Sequence, residues 1–206
     1  MVCKLCLDKK HVWSQYKNAW VHCDCYLLGV RNQYLKLAGI PEYYWDFTLD
    51  KLPSTSPSLK SFKNAITKIS DILKSGNYPN KPLIISATQS LAKPAAYILV
   101  RSALPSFTCR YASLDELTTM FLSQDKREEF IRVRDTQVLG LYFGDEYCQT
   151  IHKHLIKNIT DYRSDARFTT IGITPIVSVA AMNKIYGDLC WDKTSVWIRC
   201  NEEMIV

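Results

Sequence analysis

Four cysteines near the N-terminus constrain this chain more than any other feature: Cys3-x2-Cys6, then sixteen residues, then Cys23-x-Cys25. A segment this short and polar cannot hold itself together by apolar burial and needs a staple. Two closely spaced thiolate pairs can close a tetrahedron around Zn(II), with enough chain between them for a small ribbon or knuckle. His11 and His22 lie nearby. Because the second pair has one intervening residue instead of the usual two, His22 is an alternative to one of its members. Four protein ligands leave no open coordination position, so the ion is expected to be structural and to fold a docking surface.

The remaining cysteines, Cys109, Cys148, Cys190 and Cys200, are scattered through apolar-rich sequence. That distribution suits a reducing compartment and buried thiols in place of a disulfide framework. The longest apolar runs, 82–87 and 138–143, are too short to span a bilayer, and no signal sequence opens the chain. The expected location is cytoplasmic, with no membrane partner.

Hydrophobic periodicity organises the rest. Residues 27–37 read as a helix that stops before Gly39 and Pro41, followed by the aromatic cluster Tyr43, Tyr44, Trp45 and Phe47. The turn-rich stretch 53–58 marks a boundary, dividing a zinc-binding module with its docking helix (1–52) from a second domain (53–206). In that domain, helices are expected over 59–73, 95–103, 114–132 and 151–162. Strands are expected over 82–86, 107–112, 138–143, 169–174 and 195–200. Strands alternating with helices of this length imply right-handed crossovers and a parallel sheet, an α/β domain.

The net charge of +6 favours a polyanionic partner if it is gathered on one face. Lys126, Arg127, Arg132 and Arg134, however, are interleaved with Asp125, Glu128, Glu129 and Asp135, as on a solvated helix surface. The aromatic stretch 43–47 has two readings. One is a stacking platform for single-stranded bases with Arg31 and Lys36 on phosphates; the favoured one is a hydrophobic clamp joining the zinc module to the sheet. His152 and His154, two apart in a helix, point to different faces and do not form a zinc-protease pair.

The cysteine pairs, the helix bearing Arg31, Ala38-Gly39-Ile40-Pro41, and the aromatic segment ending Phe47-Thr48-Leu49 together resemble the entry to DnaC/DnaI/IstB-type AAA+ proteins, bacterial and phage helicase loaders. Downstream, the strand and loop at 83–93, the strand ending near Gly144 and Glu146, Leu155-Ile156, Tyr162-Arg163, Thr169-Thr170-Ile171 and Tyr186-Gly187 follow in the family's order. The resemblance implies a small zinc module on an AAA+ (P-loop NTPase-like) domain, a DnaB-type replicative helicase as partner, and contact with single-stranded DNA.

The departures concern the nucleotide site. A Walker A loop uses glycines for close approach to phosphate, a Lys for charge and a hydroxyl for Mg²⁺. The aligned stretch is Ala87-Thr88-Gln89-Ser90-Leu91-Ala92-Lys93-Pro94, in which only Lys93 remains. Pro94, which can open the first turn of a following helix, supplies no backbone donor. Anchoring the family's Gly-x-Glu on 144–146 puts Leu141 and Tyr142 where acidic residues are expected, although a shifted register offers Asp145 for Mg²⁺ and Glu146 as base. Pro175 takes the polar sensor position, and 190–194 lack the arginine finger. Because phosphoryl transfer needs these parts together, the expectation is a degenerate site without ATP or Mg²⁺ and with Lys93 vestigial. The expected function is replication accessory binding, as a loader or an inhibitor of loading. The alternatives are an active divergent ATPase using Lys93, Asp145 and Glu146, and a zinc-containing transposition or nucleic-acid-binding factor.

Overall fold

The computed structural model of the protein describes residues 3–77, 82–104, 106–144, 150–176, 178–186 and 196–200. Near the N-terminus, His11–Ser14 (β1) and Ala19–His22 (β2) form an antiparallel hairpin in which His11 faces His22 and Trp13 faces Trp20. The chain then passes through Cys23 straight into the helix Asp24–Leu37 (α1).

Gly39 ends α1. It adopts φ +72°, and a Cβ there would sit 2.7 Å from the Tyr111 carbonyl oxygen. The same close approach lets the Tyr111 N–H donate to the Ala38 carbonyl at 2.7 Å, while Arg110 donates to the Leu37 carbonyl at 2.6 Å. The C-terminus of α1 is thus stitched to the body at a point where only glycine fits. Gly39→Ala is expected to cost about 1–3 kcal/mol from backbone strain alone, read as a lowered urea midpoint at unchanged slope.

The body is a five-stranded sheet in the order β4-β5-β6-β3-β7 with every pairing parallel. Its strands are Leu83–Ala87 (β3), Cys109–Ser113 (β4), Val138–Tyr142 (β5), Thr169–Thr174 (β6) and Val196–Cys200 (β7). Successive side chains point to opposite faces, so Leu83 and Ile85 join one core cluster while Ile84 joins the other. The first cluster lies under Pro57–Lys74 (α2) and Gln89–Ala103 (α3). The second lies under Leu114–Leu122 (α4), Arg127–Arg134 (α5), Thr150–Asp165 (α6) and Val179–Tyr186 (α7). This is the expected α/β architecture, with both sheet faces covered.

Two elements differ from the sequence reading. The continuous helix expected over 114–132 is two helices, separated by the extended Ser123 and the 3-10 turn Gln124–Lys126. The break folds α5 back so that the Phe130 ring meets Phe121 at 5.4 Å and Phe130 and Val133 join the core beside Leu117 and Met120. Helix α3 starts at Gln89, six residues before the expected Ala95, and Pro94 is its sixth residue, not its first.

Arg163 of α6 is fully buried. Its guanidinium donates to the Thr170 hydroxyl (2.9 Å) and to the carbonyls of Arg134, Thr136 (2.7 Å), Gln137 (3.4 Å) and Thr169 (2.6 Å). These acceptors lie at the entrances of β5 and β6, so one side chain ties α6 to the N-terminal end of the sheet.

Candidate functional site

In the N-terminal segment, the Sγ atoms of Cys3, Cys6, Cys23 and Cys25 all lie within 4.8 Å of one another. Cys3 and Cys23 are 3.8 Å apart, and Cys6 and Cys25 are 3.4 Å apart. A tetrahedron with metal–sulfur bonds of about 2.3 Å has edges near 3.8 Å, so the cluster has the size that Zn(II) requires. Local backbone geometry brings the first pair inward. The Leu7 N–H donates to the Cys3 carbonyl and the Lys9 N–H to the Cys6 carbonyl, both at 2.9 Å, and Leu7, Asp8 and Lys10 all take positive φ. Three such residues in four positions carry strain that the exposed Leu7 cannot offset by burial.

The electrostatics favour a cation at the same point. Backbone N–H groups of Cys6 and Leu5 aimed at the Cys3 sulfur lower its thiol to about 7. The Cys6 sulfur and burial push Cys25 well up. A divalent ion at the centre would favour the thiolate form that these neighbours oppose at Cys25. The His22 ring lies outside the cluster, stacked between His11 (4.6 Å) and Tyr26 (4.8 Å). Among the described residues, the donor set is four cysteines and no histidine.

The second site is the crevice at the C-terminal ends of β3 and β6. There the connections diverge, β3 leading across to β4 and β6 to β7, which is where open α/β sheets bind ligands. The connection from β3 to α3 is Thr88 alone. Its carbonyl accepts from the N–H groups of both Leu91 and Ala92 at 2.9 Å, so these two of the amides aligned with a phosphate cradle are bonded within the helix. Leu91 and Ala92 are buried in the core. Lys93 projects over the Tyr142 ring, with Nζ 4.6 Å from its centroid. Across the crevice, the buried Ser86 hydroxyl donates to the Ile176 carbonyl at 2.6 Å, and the Ile176 N–H donates to the Thr174 hydroxyl at 3.1 Å. Asp145 and Glu146 lie outside the described residues, as do Cys148, Cys190 and the 190–194 stretch.

The aromatic segment packs as a clamp in this structure. Phe47 is buried, Tyr44 and Trp45 pack on the core of the first sheet face, and only Tyr43 is largely exposed. Arg101 of α3 donates to the carbonyls of Tyr44, Trp45 (2.7 Å) and Phe47. Arg31 bonds the Trp45 carbonyl and the Asp46 carboxylate, both at 2.6 Å, which holds Asp46 below the usual carboxylate range. Arg31 is therefore engaged in holding this segment, while Lys36 is exposed. His152 Nε2 lies 3.8 Å from Asp115.

Sequence reasoning missed the Lys93–Tyr142 contact, the Ser86–Ile176 bridge and the exposed tryptophans of the hairpin. Only the last had a readable signal, the period-two placement of His11, Trp13, Trp20 and His22.

A scan against protein-family models gave no match, and a search of curated proteins gave none either. Among solved structures, the DnaC helicase loader superposes with a TM-score of 0.58 at 16% identity, covering 77% of this chain and 98% of that one. A putative primosome component from Streptococcus pyogenes serotype M3 gives 0.59 at 11% identity, covering 80% and 92%. AMPPCP-bound DnaA from Aquifex aeolicus gives 0.52 at 12% identity, covering 74% of this chain and 50% of that one. Among the described residues, no helix is long and apolar enough to cross a membrane. At these identities the likeness concerns architecture: the body of this chain has a parallel-sheet fold like that of the DnaC helicase loader, preceded by a four-cysteine cluster able to hold zinc.

Proposed function

We propose that this chain is a DNA-replication accessory protein resembling a replicative-helicase loader, which binds a DnaB-type helicase and does not hydrolyse ATP. In this reading Cys3, Cys6, Cys23 and Cys25 hold a structural zinc, and the metal module with α1 forms the docking surface. One observation carries the binding-only mechanism. The β3–α3 connection is the single residue Thr88, and the Leu91 and Ala92 amides, two of those a phosphate cradle would use, donate to the Thr88 carbonyl inside the helix. The placement of Lys93 on Tyr142 agrees, because Tyr142 occupies the strand end where the resemblance expects an acidic metal ligand. For the docking surface, α1 leaves Leu27, Leu28, Tyr34 and Leu37 exposed beside the cysteines. Leu27, Tyr34 and Leu37 border a groove of about 840 Å³ shared with Leu104, Phe107 and Cys109. In this reading Lys93 no longer serves phosphate, and control through nucleotide state gives way to stoichiometric binding, either promoting or blocking loading.

Zinc-loaded protein is expected to capture the host's DnaB-type helicase in a pull-down and to bind no ATP at millimolar concentration with Mg²⁺. Lys93→Ala should leave capture unchanged and cost about 0.5–1 kcal/mol of stability through loss of its contact with Tyr142. Measurable ATP affinity abolished by Lys93→Ala would overturn the non-hydrolysing mechanism. Failure to recover helicase with zinc retained would overturn the partner assignment.

A further inference from the structure

The β1–β2 hairpin inverts the usual solvated pattern. Its half-buried inner face carries Val12 and Val21, and its outer face carries His11, Trp13, Trp20 and His22. Trp13 is 49% exposed and Trp20 69%. Cross-strand contact alone does not account for this, because the two indoles meet edge to face at 5.7 Å and leave the Trp20 ring largely open. The rings form a row: the tryptophan pair, then His11 and His22 at 4.6 Å, then Tyr26 at 4.8 Å from His22. Steps along each strand are about 6.7 Å, two residue rises, a spacing that an extended nucleotide chain can follow.

The charge along the hairpin itself is positive, with Asp8 and Asp24 just outside it. Lys9 and Lys10 precede β1, Lys17 sits in the turn, and residues 9–22 contain no Asp or Glu. All three lysines are exposed, and Lys10 Nζ reaches to 5.7 Å from the Tyr26 ring centroid, beside the row. An open aromatic platform flanked at both ends by lysines suits unpaired bases on a phosphate backbone, because every base offers a π-face and every phosphate a charge. An apolar protein surface would gain the same ring area but leave the lysines without complementary charge.

We propose that the outer face of this hairpin is a binding site for single-stranded nucleic acid, with bases stacked on Trp13 and Trp20 and phosphates held by Lys9, Lys10 and Lys17. The site is separate from the exposed face of α1 and does not depend on the helicase reading. Stacking makes it tolerant of sequence and of sugar, and it discriminates against duplex, whose bases are already stacked.

The test is fluorescence anisotropy with the full zinc-loaded chain and labelled oligothymidylate or oligouridylate of about 20 nucleotides, beside a duplex of equal length. Both single strands should bind, and the duplex more weakly. Trp20→Ala and Trp13→Ala should each weaken single-strand binding about tenfold, with zinc content checked to show that the hairpin is intact. Lys17→Glu lies outside both strands, so it tests the charge contribution without touching the hairpin ladder. It should weaken binding and flatten the salt dependence. Tyr43→Ala, an exposed aromatic elsewhere, should change nothing. The proposal is overturned if neither single strand binds at low salt, if duplex binds equally well, or if the tryptophan and Lys17 variants bind as the parent does. Helicase capture by the same variants separates the two assignments. Capture lost with oligonucleotide binding intact identifies the row as a protein contact and overturns this proposal alone.

Discussion

Replacing Cys23 with Ser, or treating the protein with a strong zinc chelator, is expected to unfold residues 3–23 while the parallel sheet stays folded. The hairpin has four residues in each strand, and its outer face is exposed. Two-stranded hairpins of that kind are marginal alone. The preceding knuckle adds backbone strain at Leu7, Asp8 and Lys10. A structural zinc site contributes on the order of 10 kcal/mol to folding in small modules, far more than this segment's apolar contacts provide. Metal analysis should give one zinc per chain in the parent and a large loss in Cys23→Ser. By NMR, the contact between the His11 and His22 rings should vanish on chelation while contacts between β5 and β6 persist. Survival of the His11–His22 contact in metal-free protein would refute the metal's role as staple. The sheet is insulated because its two core clusters draw on no residue before Leu35.

Arg163→Met should have the largest effect on the body, a loss of about 3 kcal/mol from buried acceptors left without their donor and a fall in melting temperature on the order of 10 °C. The methionine fills much of the volume but donates nothing. It leaves the Thr170 hydroxyl and the carbonyls of Arg134, Thr136, Gln137 and Thr169 without this donor at the buried ends of β5 and β6. Arg163→Lys retains the charge but not the planar fork, and should recover only part of the loss. A thermal midpoint unchanged in Arg163→Met would show that water replaces the guanidinium at no cost.

The fold class was legible because the strand signals are strong. The runs 83–87, 138–142 and 169–174 are apolar or β-branched and bounded by breakers, as buried parallel strands must be. The break at Ser123 was not legible, because local helical periodicity runs across it and only the docking of Phe130 on Phe121 decides it. Arg163 gave no signal as a core residue. A lone arginine in an amphipathic helix reads as surface until the carbonyls that surround it are known.

The candidate sites divide in the same way. Spacing alone brought the four cysteines together as one ligand group, because two short-range pairs joined by a ribbon can close only on each other. It left His22 open as a substitute, and the cross-strand stack with His11 and Tyr26 turns that ring away. For the loop after β3, the sequence determined that residues 87–94 carry neither of the glycines nor the final hydroxyl that a Walker A loop uses. Only tertiary structure decided what fills their place: a helix begun at Gln89, Lys93 lodged on Tyr142, and Ser86 bonded to the Ile176 carbonyl across the crevice. The physical reason is range. Ligand spacing and strand patterning act over a few residues and are written in the chain itself, whereas ring-to-cation contact and crevice closure join positions tens of residues apart and exist only once the sheet has formed.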